Sequence, residues 1–292
     1  MSAAGQAGRG PWAELRAELV ASGFRPSRRL GQNFLLDENL LRAIARDAAL
    51  EPGARVLEVG PGLGFLTRHL LALGVRVTAV EIDPRLADRV AAAFASDPAF
   101  ALLRGDVLAG KHAYAPAVRA WIGASEPWHL VANLPYAVAG PVLAIAAALD
   151  HPPTSISVLV QLELAERVVA RPDTEAWGPL SIRVQVAYTG RILRRVPPDL
   201  FWPRPQVESA VLRLDLRPDR PSPERQAALS GLVERLFQRR RQRLARVLGE
   251  LAGSAAAGRA WAAAAGLSGE ERAEVLDLEA LFRLVDARPP GT

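Results

Sequence analysis

The sequence predicts a doubly wound α/β fold with a mostly parallel seven-stranded sheet, followed by a small C-terminal helical domain, and three observations carry that expectation. Short apolar runs rich in β-branched residues alternate with helix-patterned segments, the order that builds a parallel sheet with helices on both faces. The first such run stops at three alternating glycines, Gly60-Pro61-Gly62-Leu63-Gly64, and a helix-compatible segment follows. A proline- and charge-rich stretch, Arg217-Pro218-Asp219-Arg220-Pro221-Ser222-Pro223, separates these alternations from an alanine-rich helical remainder. A boundary near residue 216 divides a domain over 25–216 from a helical one over 217–292, with a tail and short helix over 1–24.

In chain order, residues 1–10 read as a loose tail and 12–21 as a short amphipathic helix bearing Glu14 and Glu18. Ser27 to Asp37 then mixes Arg28, Arg29, Gly31, amides and Phe34 ahead of a helix over 38–48 that Asp37 is suited to cap. Two readings of that segment stand: a capped loop over the core, or a lid over a ligand with arginines for phosphates. Residues 56–59 form the first strand and 65–73 the helix behind the glycine loop. A strand over 76–80 ends in Glu81, about 20 residues past the first glycine, where a nucleotide-binding unit sets the acid that accepts ribose hydroxyls. Phe65 stands where a dinucleotide fingerprint has its third glycine, which disfavours a pyrophosphate. The spacing suits S-adenosylmethionine, whose amine and carboxylate need close backbone approach without phosphate.

Asp83-Pro84 opens the next helix, to about residue 95, with aspartate as cap and proline in the first turn. A strand over 100–103 ends in Gly105-Asp106, an acid on the ligand-binding rim that could face adenine's amino group, and one over 129–132 ends in Asn133-Leu134-Pro135-Tyr136. A helix over 140–149, a strand over 156–160 and a helix over 165–169 follow. Residues 180–188 fit both periods and are read as helix. Strands over 191–196 and 207–214 flank the loop 197–205 and read as an antiparallel pair at the sheet's edge. Helices over 224–236 and 240–251, and shorter pieces to 285, complete the chain.

Composition narrows the chemistry. The chain has 292 residues, half of them hydrophobic, and no cysteine, which excludes disulfides, thiolate metal sites and cysteine nucleophiles. Four histidines, His69, His112, His129 and His151, lie too far apart for a local metal motif, so no metal is expected. The formal charge is +5, carried almost wholly by arginine, which is compatible with a polyanionic partner. No apolar stretch is long enough to span a bilayer, so the expectation is a soluble, cytoplasmic protein with no membrane partner, and a monomer by default.

The most informative stretch is Asn133-Leu134-Pro135-Tyr136. An adenine amino group is a poor nucleophile because its lone pair is delocalised into the ring. Acceptors aimed at its N–H bonds, here the Asn133 side-chain oxygen and the Leu134 carbonyl, would localise that pair and stabilise the charge that methyl transfer creates. Pro135 stiffens the turn, and Tyr136 offers a face on which an extruded base can stack.

Taken together, Leu30-Gly31-Gln32-Asn33-Phe34-Leu35, Glu58-Val59-Gly60-Pro61-Gly62-Leu63-Gly64, Glu81-Ile82-Asp83, Gly105-Asp106, Asn133-Leu134-Pro135-Tyr136, Val160-Gln161, Val196-Pro197-Pro198 through Phe201 to Pro205, Ser209-Ala210-Val211 and Phe237 with Arg240-Arg241 resemble the small-subunit ribosomal RNA adenine dimethyltransferases. The resemblance implies a Rossmann-like class I methyltransferase. It implies two methyl transfers to each of two adjacent adenines near the 3′ end of small-subunit rRNA, in an immature ribosomal subunit. It assigns Asn33, Leu35, Gly60, Gly62, Glu81, Ile82, Asp106 and Asn133 to S-adenosylmethionine, and Tyr136 and Phe201 to substrate binding. Leu162, Trp177 and Gln242 depart from the family's usual residues. Arg28 and Arg29, with Arg240 and Arg241 in the run Arg239, Arg240, Arg241, Arg243, Arg246, are expected to grip rRNA phosphates, the run reading as a basic helix face. Two alternatives remain open on these residues: a large-subunit rRNA methyltransferase of the macrolide-resistance type, and a non-catalytic RNA-binding assembly or transcription factor on the same fold.

Overall fold

The structure, a computed structural model, describes residues 17, 19, 21, 23–123 and 126–290. The expected tail and most of the expected helix over 12–21 lie outside them.

Seven strands form one sheet: β2 (Arg55–Val59), β3 (Arg76–Glu81), β4 (Phe100–Arg104), β5 (Trp128–Asn133), β6 (Ser155–Gln161), β7 (Tyr188–Val196) and β9 (Ser209–Leu216), in the order β4-β3-β2-β5-β6-β9-β7. β9 pairs antiparallel with both β6 and β7, and the other pairings are parallel. Between them run α1 (Glu38–Asp47), α2 (Phe65–Leu71), α3 (Pro84–Ala93), α4 (Pro116–Ile122), α5 (Tyr136–Ala148), α6 (Leu162–Val168) and α7 (Pro179–Gln185). A separate two-stranded ribbon joins β1 (Phe34–Leu35) to β8 (Phe201–Trp202).

The central strands β2, β5 and β6 are buried along nearly their whole length because both faces are covered. Leu57 and Val59 of β2 join one core layer with Leu130 and Ala132 of β5 and with Val142 and Leu143 of α5. Val56 and Val131, one residue out of phase, join the other with Ile44 of α1 and with Leu66 and Leu70 of α2. A strand's period of two sorts these side chains onto opposite faces. Truncating fully buried Leu130 to alanine is expected to cost about 2–5 kcal/mol. The chain runs outward from β2 to β3 and β4, then jumps back to β5. The carboxyl ends of β2 and β5 therefore flank the reversal in strand order, where open sheets of this kind form a crevice.

Several elements differ from expectation, α4 among them, since no helix was expected over 116–122. α5 starts at Tyr136 instead of residue 140, because Pro135 occupies the cap position with no side-chain capping bond to mark it. The ambiguous stretch 180–188 divides: α7 ends at Gln185, and Tyr188 opens β7 with its hydroxyl donating to the Pro153 carbonyl at 2.8 Å. The two-residue strands β1 and β8 are too short to show any period. The expected helix over 240–251 begins only at Leu244, so Arg239 to Gln242 form a turn between helices. Five consecutive long polar side chains, four of them cationic, oppose a helix there, and Leu244 N–H is drawn to the Glu271 carbonyl at 2.7 Å.

After β9 come α8 (Pro223–Gln238), α9 (Leu244–Ala252), α10 (Ala255–Ala264) and α11 (Leu278–Asp286). Ser222 caps α8 through its side chain. Leu232, Leu236, Leu248, Trp261, Leu281 and Leu284 build a second core, closed by Trp177, Ile182 and Val186 from around α7. The indole N–H groups of Trp261 and Trp177 donate to the carbonyls of Leu284 and Leu276 at 2.8 and 3.2 Å, so these large rings are buried without an orphaned donor.

Candidate functional site

A cleft of about 220 Å³ opens at the carboxyl rim of β2, β3, β4 and β5. Its floor is the glycine loop after β2. Gly60 and Gly62 have φ of +70° and +58°. A Cβ at Gly60 would lie 3.2 Å from the Pro135 ring, and one at Gly62 3.0 Å from the Phe34 ring. Only glycine meets both demands, and the bare backbone is left open to a ligand.

Glu81 ends β3 and is only 4% exposed. One carboxylate oxygen accepts the Gly62 N–H at 3.1 Å and the other the Asp83 N–H at 2.9 Å, so the acid ties the glycine loop to the turn after β3. Burial raises its pKa, against the lowering effect of those backbone donors. Ile82 beside it leaves its apolar side chain 43% exposed. Asp106, past β4, is exposed and accepts the Leu108 N–H at 2.9 Å, which fixes its turn. Glu58 stands in the middle of β2 and also lines the cleft. It is 1% exposed, accepts the Thr67 hydroxyl at 2.7 Å, and burial, reinforced by Glu81, pushes its pKa to about 8.

The other wall is the turn after β5. The Asn133 side-chain N–H donates to the Asn33 carbonyl at 3.1 Å, which commits the amide nitrogen and leaves Oδ1 to accept. Pro135 holds the turn at φ −56°, and the Tyr136 hydroxyl shares a 2.6 Å hydrogen bond with buried Ser209, so the ring is held at its far end. Burial raises the Tyr136 pKa, so the phenol stays neutral. Residues 27–36 run alongside: a short turn, Arg28–Leu30, then Gln32, whose side chain donates to Asp83 at 3.0 Å.

The structure thus brings Asn33, Gly60, Gly62, Glu81, Ile82 and Asp106 together with Asn133, Leu134, Pro135 and Tyr136 around one cleft, and Arg29 stands at its border. Leu35 also lines it, although its side chain is only 2% exposed. Phe201 departs from expectation. Its ring is 3% exposed and packs in the core with Leu35, Val196 and Val211, because pairing of β8 with β1 turns it inward. Arg240 and Arg241 lie exposed on the turn between α8 and α9, away from the cleft lining and not on a helix face. They have no carboxylate partner among the described residues, whereas Arg239 and Arg243 pair with Glu250 and Glu270. The Arg28 side chain lies outside the described part. Glu58, Gln32 and Ser209 also belong to the arrangement; in the sequence they stand inside the motifs that carry the resemblance, with no role of their own assigned to them.

The donor set fits S-adenosylmethionine. Two acids, Glu81 and Asp106, face one arginine, Arg29, around the cleft, while burial holds Glu58 largely protonated at neutral pH. That balance suits a ligand carrying an ammonium and a sulfonium and opposes a pyrophosphate, while exposed Ile82 offers an apolar surface to a purine. No described helix is long and apolar enough to cross a membrane.

Comparison with known proteins gives a consistent result. The profile of the family described as ribosomal RNA adenine dimethylase matches residues 23–287. The chain is 40% identical over 273 residues to the ribosomal RNA small subunit methyltransferase A of Phenylobacterium zucineum (strain HLK1), covering 94% of this chain and 92% of that protein. It is 42% identical over 270 residues to the protein of the same name from Synechococcus sp. (strain JA-3-3Ab), covering 89% and 92%. Among solved structures, a dimethyladenosine transferase from Plasmodium falciparum superimposes with a TM-score of 0.66 at 20% identity, over 86% of this chain and 95% of that one. The 23S rRNA methyltransferase ErmE does so with a TM-score of 0.61 at 24% identity, over 87% and 98%. At these identities the structural likeness speaks to the fold.

Proposed function

Because this chain belongs to the ribosomal RNA adenine dimethylase family, we propose that it methylates the exocyclic N6 of two adjacent adenines near the 3′ end of small-subunit rRNA, twice each. S-adenosylmethionine supplies the methyl group already activated on a sulfonium. The acceptor is an immature ribosomal subunit, and the protein acts on it as a monomer in the cytoplasm.

The observation that carries this reading is the committed amide of Asn133. With its nitrogen bonded to the Asn33 carbonyl, Oδ1 is the atom left to face an incoming amine. The Leu134 carbonyl accepts no backbone N–H among the described residues and supplies a second acceptor. Two acceptors on one amino group draw its lone pair out of the ring and stabilise the positive charge that develops on nitrogen. Tyr136, tethered at its hydroxyl, gives the extruded base a fixed face to stack on. Glu81 holds the ribose hydroxyls of the donor, Asp106 and Ile82 its adenine, and the glycine loop its amino-acid end. Residues 25–216 carry the chemistry. Residues 217–292 bring Arg240 and Arg241 to rRNA phosphates, with Arg28 and Arg29 gripping beside the cleft.

The reading is tested by incubating the protein and radiolabelled S-adenosylmethionine with immature small subunits and, separately, with large subunits. Label is expected in small-subunit rRNA. Label confined to the large subunit would favour the macrolide-resistance type of activity, and label in neither would leave a binding protein.

A further inference from the structure

Residues 29–35 line the cleft and touch both of its halves. On the acceptor side the Asn33 carbonyl fixes Asn133 at 3.1 Å, and Gly31 lies so close that a Cβ there would be 3.4 Å from the Tyr136 nitrogen. On the donor side the Gln32 side-chain N–H donates to Asp83 at 3.0 Å, and Asp83 in turn donates its backbone N–H to Glu81 at 2.9 Å. The other end of the Gln32 amide accepts the Ser27 N–H at 2.7 Å, so the side chain is spent at both ends. The Asn33 side chain does not share this task, because it donates within the segment to the Gly31 carbonyl at 3.3 Å.

Asp83 has no need of Gln32 for its own role. It caps α3 through the Arg85 N–H and also binds the Arg85 guanidinium, which holds its carboxyl below the ordinary range and keeps it a charged acceptor. The bond from Gln32 therefore serves the segment that carries Asn33. A hydrogen bond to a charged partner is among the stronger ones available for such a tie.

We infer that Gln32 is a positioning residue that couples the two halves of the cleft: it holds residues 31–33 against the Glu81–Asp83 turn, so that donor occupancy fixes the Asn33 carbonyl and, through it, the orientation of Asn133. The inference rests on the reading in which Glu81 faces the donor and Asn133 the adenine amine. Without the tie the Asn33 carbonyl drifts, the Asn133 amide is free to turn over, and an N–H instead of an acceptor meets the amine. The donor pocket itself, built by Glu81 and the glycine loop, stays in place.

The test follows hydrogen exchange in the full-length wild type and in Gln32→Leu, with and without S-adenosylhomocysteine, beside turnover on immature small subunits. In the wild type, S-adenosylhomocysteine is expected to slow exchange in peptides covering 29–35 and also in those covering 133–139. In Gln32→Leu the protection is expected to stop short of 133–139, with S-adenosylhomocysteine affinity within about threefold and turnover down about tenfold. A second variant, Gln32→Glu combined with Asp83→Asn, restores a donor and an acceptor with the direction reversed and is expected to recover turnover above that of Gln32→Leu. Equal protection of 133–139 in wild type and Gln32→Leu would overturn the inference. So would turnover that falls only in step with affinity, or a double variant as slow as Gln32→Leu. A wild type that moves no methyl to rRNA would sink the functional reading instead, and the exchange data would still report on the coupling.

Discussion

The side chain of Asn133 and the backbone carbonyl of Asn33, separated by 100 residues of sequence, meet in a 3.1 Å hydrogen bond at the mouth of the cleft. The contact commits the nitrogen end of a symmetric-looking amide and leaves its oxygen free to accept. The end of β5 is thus tied to a segment that precedes α1.

Asn133→Asp removes the donor that this contact needs and sets a carboxylate oxygen against a carbonyl. Methyl transfer is expected to fall about a hundredfold or more, as when one preorganised polar group is lost from a transition state. S-adenosylhomocysteine affinity, read by calorimetry, is expected to change only a few-fold, since the opposite wall carries it. A variant that turns over at the wild-type rate would remove Asn133 from the chemistry.

Gly62→Ala and Gly64→Ala separate binding from stability. Both glycines have positive φ, but a Cβ at Gly62 meets Phe34 at the cleft, and one at Gly64 meets Phe94 at 2.8 Å, away from its lining. Gly64→Ala is expected to cost about 1–3 kcal/mol in urea unfolding. Its donor affinity should stay close to wild type, whereas Gly62→Ala should lose donor affinity about tenfold or more. The opposite ranking in calorimetry would contradict the placement of the loop.

Glu58→Gln tests the buried acid. A carboxyl at about 8 in the folded chain and 4.5 when unfolded contributes fully below the lower value, and its contribution is lost as pH rises through the higher one. The glutamine keeps a partner for Thr67 without a charge. It is expected to match wild type near pH 4.5 and to exceed it in stability above pH 8, by on the order of 1–3 kcal/mol. Denaturant titrations across that window check it, and a pH-independent difference would show that Glu58 does not titrate there.

Arg240→Ala with Arg241→Ala is expected to weaken rRNA binding and flatten its salt dependence by about 0.7–0.9 in log–log slope per lost phosphate contact. Arg239 and Arg243, each already paired with a glutamate, should contribute less. A filter-binding series over salt concentration decides, and an unchanged slope would place the rRNA elsewhere.

The sheet was legible because burial on both faces leaves short runs rich in β-branched and apolar residues in β2, β5 and β6, and because Gly60, Glu81 and Asn133 each punctuate a strand's end. The contacts that finish the site were not. Asn33 with Asn133, Gln32 with Asp83 and Tyr136 with Ser209 join residues 51 to 100 positions apart, and no local period records such pairs. Phe201 was expected at the substrate because a motif carries residue type and not side-chain direction. The β1–β8 ribbon, two residues a side, turns it into the core. The arginine run looked helical because neither its mutual repulsion nor the distant Glu271 carbonyl enters a reading of periodicity.

The most direct measurement is mass spectrometry of nuclease fragments from both ribosomal RNAs, after immature subunits are incubated with S-adenosylmethionine and either the wild type or Asn133→Ala. The account predicts two neighbouring dimethylated adenines near the 3′ end of the small-subunit rRNA with the wild type, and unmodified adenines with the variant. Methyl groups on another base, on large-subunit rRNA, or placed equally well by Asn133→Ala would contradict it.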